Sequence, residues 1–234
     1  MFSIYKDFTE ASESGKKLLS VLLDPDKFEE KSAETFLLKL PVNVTHIFVG
    51  GSRVEPNKTD TTVQAIKSKT NLPVILFPGD HSQISEAADG ILFLSLISGR
   101  NPEYLIGQQL KSVSQLRNSK LEIIPTGYIL IDGGNKCSVH QVSNTKPIPQ
   151  IEVEIIVKTA LAGQFSGKKL IYLEAGSGAE VSVSAEIISA VKEAISIPLI
   201  VGGGIRTTQQ LKKTYAAGAD IVVIGNAFEN DEFF

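Results

Sequence analysis

Cysteine is almost absent from this sequence, which has Cys137 as its one thiol among 234 residues. A single thiol excludes an intrachain disulfide framework, a Cys-x-x-Cys redox motif and a cysteine-rich zinc site. The sequence also lacks a basic N-terminal segment followed by a short apolar core, and it has no uninterrupted stretch of about 18 apolar residues. We therefore expect a cytoplasmic protein without a signal peptide or a transmembrane segment.

The sequence also lacks a large excess of either acidic or basic residues. The 23 Lys and Arg residues nearly balance the 26 Asp and Glu residues, and the formal net charge is −3. This balance, without a block of like charges, gives no electrostatic footprint for a nucleic acid or an anionic membrane surface. The content of 42% hydrophobic and 21% charged residues is typical of a globular protein. No linker divides the chain, so we expect residues 1–234 to form one domain.

Short apolar runs bounded by turn residues recur along the chain. They are not alternating, which is typical of parallel strands that are covered on both faces. Segments with helical periodicity separate most of them, and this alternation predicts an α/β fold, a single (β/α)8 TIM barrel. The predicted strands are residues 18–23, 46–49, 74–77, 91–96, 128–131, 170–173, 199–201 and 221–224. The predicted helices are residues 30–40, 61–69, 102–116, 151–162, 185–194 and 209–216.

Three segments depart from a regular barrel. Residues 78–89, between the third and fourth strands, are too few for a full crossover helix, so we expect a loop in place of the third helix. Residues 225–234 leave room for at most a stub of an eighth helix. Residues 132–150 form the longest irregular segment, and irregular segments of this length are usually functional or mobile.

Glycine-rich turns follow the last three predicted strands. In barrels of this kind the last βα loops bind phosphate through backbone N–H groups, and glycine lets the backbone approach a phosphate oxygen. The pattern therefore predicts a phosphate monoester ligand, although each glycine alone would also fit a simple tight turn. The turns contain Gly176, Ser177 and Gly178, then Gly202, Gly203 and Gly204, and finally Gly225 and Asn226.

Two further strand ends carry polar side chains that would face the same rim. Asp24 follows the first strand and Ser52 follows the second, and a carboxylate with neighbouring oxygen ligands suits Mg²⁺. Asp24 and Asp26 would equally fit a turn that caps the next helix. Glu174 ends the sixth strand on the same face as Tyr172. A carboxylate beside a phosphate site indicates a polyol ligand or a general base, and a plain salt-bridge role is the alternative.

Six motifs over residues 22–228 carry a family resemblance. They are Leu23-Asp24-Pro25-Asp26-Lys27, Phe48-Val49-Gly50-Gly51-Ser52, Gly127-Tyr128-Ile129, Tyr172-Leu173-Glu174-Ala175-Gly176-Ser177-Gly178-Ala179, Val201-Gly202-Gly203-Gly204-Ile205-Arg206 and Val223-Ile224-Gly225-Asn226-Ala227. Together they resemble the geranylgeranylglyceryl phosphate synthases and their bacterial relatives. The Tyr-Leu-Glu-Ala-Gly-Ser-Gly-Ala run is specific to that family, whereas the Gly-Gly-Gly and Gly-Asn turns also occur in other phosphate-binding barrels.

The resemblance implies a magnesium-dependent prenyltransferase on a modified TIM barrel whose third helix is replaced by irregular structure. Members of the family join sn-glycerol 1-phosphate to a polyprenyl diphosphate, and they release diphosphate and an ether lipid precursor. Leu22 stands where some members carry lysine, which resembles a second subgroup that uses geranylgeranyl donors and forms homo-oligomers, dimers or hexamers.

The resemblance also assigns roles to individual residues. Asp24 and Ser52 would bind Mg²⁺, and Tyr104 and Tyr128 would contact the prenyl chain. Glu174 and Tyr172 would be catalytic. The residues expected to hold glycerol 1-phosphate are Tyr172, Leu173, Glu174, Ala175, Gly176, Ser177, Gly178, Gly203, Gly204, Gly225 and Asn226.

Two alternatives stay open. The glycine turns alone would equally serve another phosphate-binding barrel enzyme, an isomerase or a lyase of a phosphorylated metabolite. They would also serve a barrel that binds phosphate without catalysis. The combination of Asp24 with Tyr172 and Glu174 favours the prenyltransferase.

Overall fold

The structure, a computed structural model, describes residues 3–225 and residue 228. Its centre is a closed barrel of eight parallel strands that follow one another in chain order. The strands are Leu18–Leu23 (β1), Val44–Val49 (β2), Val74–Leu76 (β3), Gly90–Leu96 (β4), Glu122–Leu130 (β5), Leu170–Glu174 (β6), Leu199–Gly202 (β7) and Ile221–Ile224 (β8). In the described part of the chain the α-helices are Ile4–Ser14 (α1), Ala33–Lys39 (α2), Lys58–Lys67 (α3), Gln108–Leu116 (α4), Ser138–Ser143 (α5), Val153–Phe165 (α6), Ala185–Ala194 (α7) and Thr208–Ala216 (α8).

The predicted (β/α)8 barrel is confirmed. β1 and β8 close it, with Leu18 paired to Ile221. The strands are mostly apolar because successive side chains enter two different cores, and the buried polar exceptions include Ser20, His46 and Thr126. Tyr172, for example, belongs to the cluster that fills the barrel. Its neighbour Leu173 belongs to the cluster between the barrel and the surrounding helices.

The loop predicted between the third and fourth strands is confirmed, since residues 78–89 contain no helix. The segment 132–150 is less irregular than expected. It contains α5, and an isolated bridge pairs Ile131 with Ile148. The predicted stub after β8 lies outside the described residues except for Gly225 and Phe228.

Helix α1 lies outside the predicted elements. It buries Ile4, Phe8 and Ala11 in the barrel cluster, beside the residues that begin the strands. The carboxylate of Glu122 at the start of β5 accepts hydrogen bonds from the Ser3 hydroxyl (2.8 Å) and from the backbone N–H of Ile4 (2.6 Å). The helix therefore closes the N-terminal end of the barrel, and the opposite end stays available for ligands.

Candidate active site

The glycine turns after β6 and β7 meet at the carboxyl ends of the strands. Gly176, Gly203 and Gly204 have φ values of +104°, +84° and +72°, a backbone region that favours glycine. A Cβ on Gly203 would lie 2.5 Å from Oε1 of Glu174 and 2.8 Å from the backbone nitrogen of Gly176. The two turns therefore pack backbone against backbone, and this close approach forms a cup lined by main-chain groups.

Glu174 lies at the edge of this cup and is only 7% exposed. Its Oε1 accepts a hydrogen bond from the backbone N–H of Gly176 at 2.7 Å. Burial raises the pKa of the Glu174 carboxyl to about 7, although that hydrogen bond acts in the opposite direction. A carboxyl with this pKa can accept and return a proton near neutral pH, which is what general-base catalysis requires.

An aromatic layer fills the barrel beneath Glu174. The ring of Tyr172 stacks on Phe77 with centroids 5.1 Å apart, and on Tyr128 at 5.3 Å. The Tyr172 hydroxyl is buried close to the Glu174 carboxyl, and its interaction with that carboxyl lowers the pKa of Glu174. Burial raises the pKa of this phenol well above its usual value, so the group stays neutral and can donate. The phenol and the carboxyl line the groove together, so both can hydrogen-bond to a hydroxyl group of a ligand.

Asp24 and Ser52 line the same groove on the side of β1 and β2. The Asp24 side chain is 28% exposed, and its Oδ1 accepts the backbone N–H of Asp26 at 3.1 Å. The carboxylate thus also caps the turn Pro25–Lys27, as the alternative interpretation expected. A Cβ on Gly51 would lie 3.1 Å from Oδ1 of Asp24, so glycine keeps the space beside this carboxylate open.

Gln83 fixes the loops around Ser52. This side chain is 2% exposed, donates from Nε2 to the carbonyl of Gly51 (2.8 Å), and accepts the backbone N–H of Gly79 (3.1 Å). It therefore connects the loop after β2 to the loop after β3. Sequence reasoning missed Gln83, because only the fold brings residues 51 and 83 together.

The groove continues from the cup into a trough between the loop 78–89 and helix α4. A π-helical turn, Glu103–Gly107, precedes α4 and carries Tyr104 into this trough. π-Helical turns are frequent at functional sites. The Gln108 side chain accepts from the backbone N–H of His81 at 2.9 Å and so bridges the two walls. The apolar residues of the trough include Ile84, Ile91, Phe93, Leu94, Tyr104 and Val139.

Most of the predicted site residues share this one groove. The cup lies at one end, Asp24 and Ser52 lie on one side, and the trough with Tyr104 lies at the other end. Leu173 and Ala175 are different, because their side chains pack in the cluster between the barrel and the helices. Asn226 lies outside the described residues. The predicted residues that line the groove are Asp24, Ser52, Tyr104, Tyr128, Tyr172, Glu174, Gly176, Ser177, Gly178, Gly203, Gly204 and Gly225.

Two other residues of the site were not predicted to have a role. Arg206 lines the cup, and its Nη2 donates to the carbonyl of Ala179 at 2.7 Å. Cys137 is buried behind the β6 turn, where a Cβ on Gly176 would meet its side chain at 2.6 Å. The position of Arg206 directly after the Gly-Gly-Gly turn is a signal that could have found it.

Within residues 3–225 and 228, no three His, Cys, Asp or Glu side chains cluster in a way that could hold a metal ion. Asp24 and Ser52 are therefore an incomplete set of ligands by themselves. Among the same residues, no helix is both long and apolar enough to cross a membrane.

Known proteins match this chain over nearly its full length. It is 63% identical over 223 residues to the geranylgeranylglyceryl phosphate synthase of Zunongwangia profunda, with 95% of each chain covered. The enzyme of that name from Flavobacterium johnsoniae is 51% identical, with 99% of this chain and 96% of the relative covered.

A solved structure has the same fold. It is the (S)-3-O-geranylgeranylglyceryl phosphate synthase from Thermoplasma acidophilum, in complex with its substrate sn-glycerol 1-phosphate. The TM-score is 0.89 at 36% identity, with 98% of this chain and 92% of that chain covered. The model of the PcrB family matches residues 14–233. The chain therefore belongs to the PcrB family.

Proposed function

We propose that this protein joins sn-glycerol 1-phosphate to geranylgeranyl diphosphate and forms (S)-3-O-geranylgeranylglyceryl phosphate and diphosphate. The observation that carries the proposal is the single groove, in which a backbone-lined cup and an apolar trough meet at Glu174 and Tyr172. The cup suits the phosphate of one substrate, and the trough suits the hydrocarbon chain of the other. The names of the relatives support the same reaction.

Glu174 would act at the glycerol hydroxyl. In the proposed step the hydroxyl oxygen forms a bond to C1 of the prenyl chain, the bond from C1 to the diphosphate oxygen breaks, and the hydroxyl proton passes to the Glu174 carboxylate. The buried Tyr172 hydroxyl would donate to a glycerol oxygen and orient it. The aromatic layer beneath would exclude water from the reacting atoms, because Phe77 and Tyr128 pack directly on Tyr172.

Mg²⁺ is the proposed cofactor, with Asp24 and Ser52 as its protein ligands. The open space that Gly51 leaves beside the Asp24 carboxylate fits an ion whose remaining ligands are waters and diphosphate oxygens. When bound, Mg²⁺ neutralises negative charge on the departing diphosphate. Asp24 and Ser52 would hold the diphosphate end of the prenyl donor close to Glu174.

The trough would hold the prenyl chain, with Tyr128 near the cup and Tyr104 further along the trough. Tyr104 lies in a π-helical turn and lines the trough, where its ring would restrict how far a chain can extend. We therefore propose Tyr104 as the residue that limits chain length. Geranylgeranyl is the proposed donor because the relatives carry that name.

Assembly and location are also proposals. A homo-oligomer, a dimer or a hexamer, is supported by large apolar side chains that stay exposed on the outer helices, such as Leu110 at 74% and Phe165 at 79%. A cytoplasmic location is supported by the lone cysteine, Cys137, which has no intrachain partner.

The alternative functions explain less of the groove. A sugar-phosphate isomerase or lyase would use the cup but has no need for an apolar trough. A barrel that only binds phosphate has no need for a carboxyl with a pKa near 7 beside the cup. The 63% identity over 95% of the chain also favours the synthase.

An assay of product formation tests the proposal. Purified protein would be incubated with labelled sn-glycerol 1-phosphate, Mg²⁺ and one prenyl diphosphate at a time, from farnesyl to chains longer than geranylgeranyl. We expect label in the organic phase with the geranylgeranyl donor, and a loss of about 100-fold in Asp24→Asn. The exposed Asp26→Asn is the matched control and should keep its activity. Wild-type protein that binds glycerol 1-phosphate but labels no product with any donor would contradict the proposal.

A further inference from the structure

The groove is lined by more acidic than basic side chains, which is unusual for a site proposed to bind two anionic substrates. Its lining contains the carboxylates of Asp24, Asp80 and Glu174. Among the described lining residues, the guanidinium of Arg206 is the one Lys or Arg side chain. Burying anionic ligands beside three carboxyl groups is costly unless a cation compensates. Mg²⁺ near Asp24 would serve the diphosphate, and Arg206 is the one Lys or Arg side chain of the described lining that could serve the phosphate monoester at the cup.

Arg206 has the geometry for this role. It follows the Gly202–Gly204 turn after β7, and its backbone N–H donates to Oε1 of Gln210 at 2.8 Å, which fixes the chain at the start of α8. Its Nη2 donates to the carbonyl of Ala179 in the turn after β6 at 2.7 Å. The side chain therefore spans both glycine turns that form the cup.

Most of the Arg206 guanidinium stays available for a ligand. An arginine side chain carries five N–H donors in a rigid planar fork, and the bond to Ala179 uses one of them. No described carboxylate forms an ion pair with Arg206, and the groove surface that it lines is continuous with the cup. A planar fork with free donors matches the oxygens of a phosphate group in geometry and in charge.

We propose that Arg206 recognises the phosphate of the glycerol phosphate substrate directly, while the bond to Ala179 holds the fork in position. This inference deepens the proposed function and rests on it. It adds a charged side chain to a phosphate cup that otherwise consists of main-chain groups. It also explains the polarity of the groove, because Arg206 and Glu174 hold opposite ends of one small substrate.

Titration calorimetry with sn-glycerol 1-phosphate tests the inference on the folded, full-length protein. We expect Arg206→Gln to bind at least about tenfold more weakly than wild type, and Arg206→Lys to recover part of this loss because the charge remains. Arg117→Gln is the matched control, because it removes an equal charge from an exposed position at the end of α4. Its binding should stay within twofold of wild type.

Steady-state kinetics separate direct recognition from a structural role. Arg206→Gln should raise KM for glycerol 1-phosphate and Ki for inorganic phosphate by the same factor, with KM for the prenyl diphosphate unchanged within twofold. Equal binding by Arg206→Gln and wild type would overturn the inference and leave the proposed function intact. The inference would also be overturned if Arg206→Gln and Arg206→Lys both weakened the binding of glycerol 1-phosphate and of the prenyl diphosphate by the same factor. Wild-type protein that fails to bind glycerol 1-phosphate would instead contradict the proposed function itself.

Discussion

At the scale of single residues, Glu174 connects stability to chemistry. Its carboxyl is buried at the end of β6, where the N–H of Gly176 and the hydroxyl of Tyr172 interact with it. Burial favours the neutral acid, which is why the pKa rises to about 7. The ionised carboxylate, which is the proposed base, is therefore the protonation state of Glu174 that the fold stabilises less. This conflict between stability and activity is common at catalytic sites.

The raised pKa predicts a pH-dependent stability. Because the folded-state pKa of Glu174 lies above the unfolded value, its contribution is fully present below the unfolded pKa and is lost as the pH rises through about 7. Glu174→Gln cannot ionise, so we expect it to gain about 2–3 kcal/mol of unfolding free energy relative to wild type between pH 5 and pH 8.5. Urea unfolding at both pH values measures this difference. A constant difference between the two proteins would contradict the raised pKa.

At the scale of elements, the site depends on two turns that approach more closely than side chains would allow. Gly203 illustrates the requirement, since both its positive φ and the nearby Glu174 oxygen exclude a Cβ. Gln83 plays the corresponding part between the loops after β2 and β3, where it replaces missing backbone partners with its own amide. The ends of the strands therefore position the turns, and the turns position the side chains and main-chain groups of the site.

A matched pair of glycine substitutions tests the role of the β7 turn. Gly203→Ala strains the backbone and pushes on Oε1 of Glu174, so we expect a loss of about 1–3 kcal/mol in stability and about 100-fold in kcat/KM. Gly167, after α6, has an almost equal φ of +85°, and a methyl group added there would have no atom within 4 Å. Gly167→Ala should therefore lose similar stability and keep its kcat/KM. Equal kinetic effects of the two substitutions would contradict the proposed close packing.

The sequence predicts elements well where its pattern is local. β1, β8 and α7 have the predicted bounds, because apolar runs and clear helical periodicity mark them. The N-terminal part of β5 was missed because Pro125 and Gly127 interrupt its apolar run. Helix α1 was missed although Ile4, Phe8 and Ala11 have helical spacing, because most of its residues are polar. The π-helical turn before α4 has no distinctive pattern.

At the scale of the whole molecule, one end of the barrel is closed by a helix and the other end carries the proposed active site. Helix α1 seals the N-terminal end with a buried apolar face and an interaction with Glu122 that spans 118 residues of sequence. The other end carries the groove. The motif residues of this groove were predictable because parallel strands bring their carboxyl ends to one rim. Arg206 and Gln83 were not, because their roles depend on side-chain contacts between different loops.

The turnover of Glu174→Gln tests most directly the claim that this groove carries out prenyl transfer with Glu174 as the base. Glutamine keeps the shape and can still accept the N–H of Gly176, but it cannot take the hydroxyl proton. We expect single-turnover formation of geranylgeranylglyceryl phosphate to fall by about 10²–10⁴-fold, while calorimetric binding of glycerol 1-phosphate stays within a few-fold of wild type. Turnover equal to that of wild type would contradict the account.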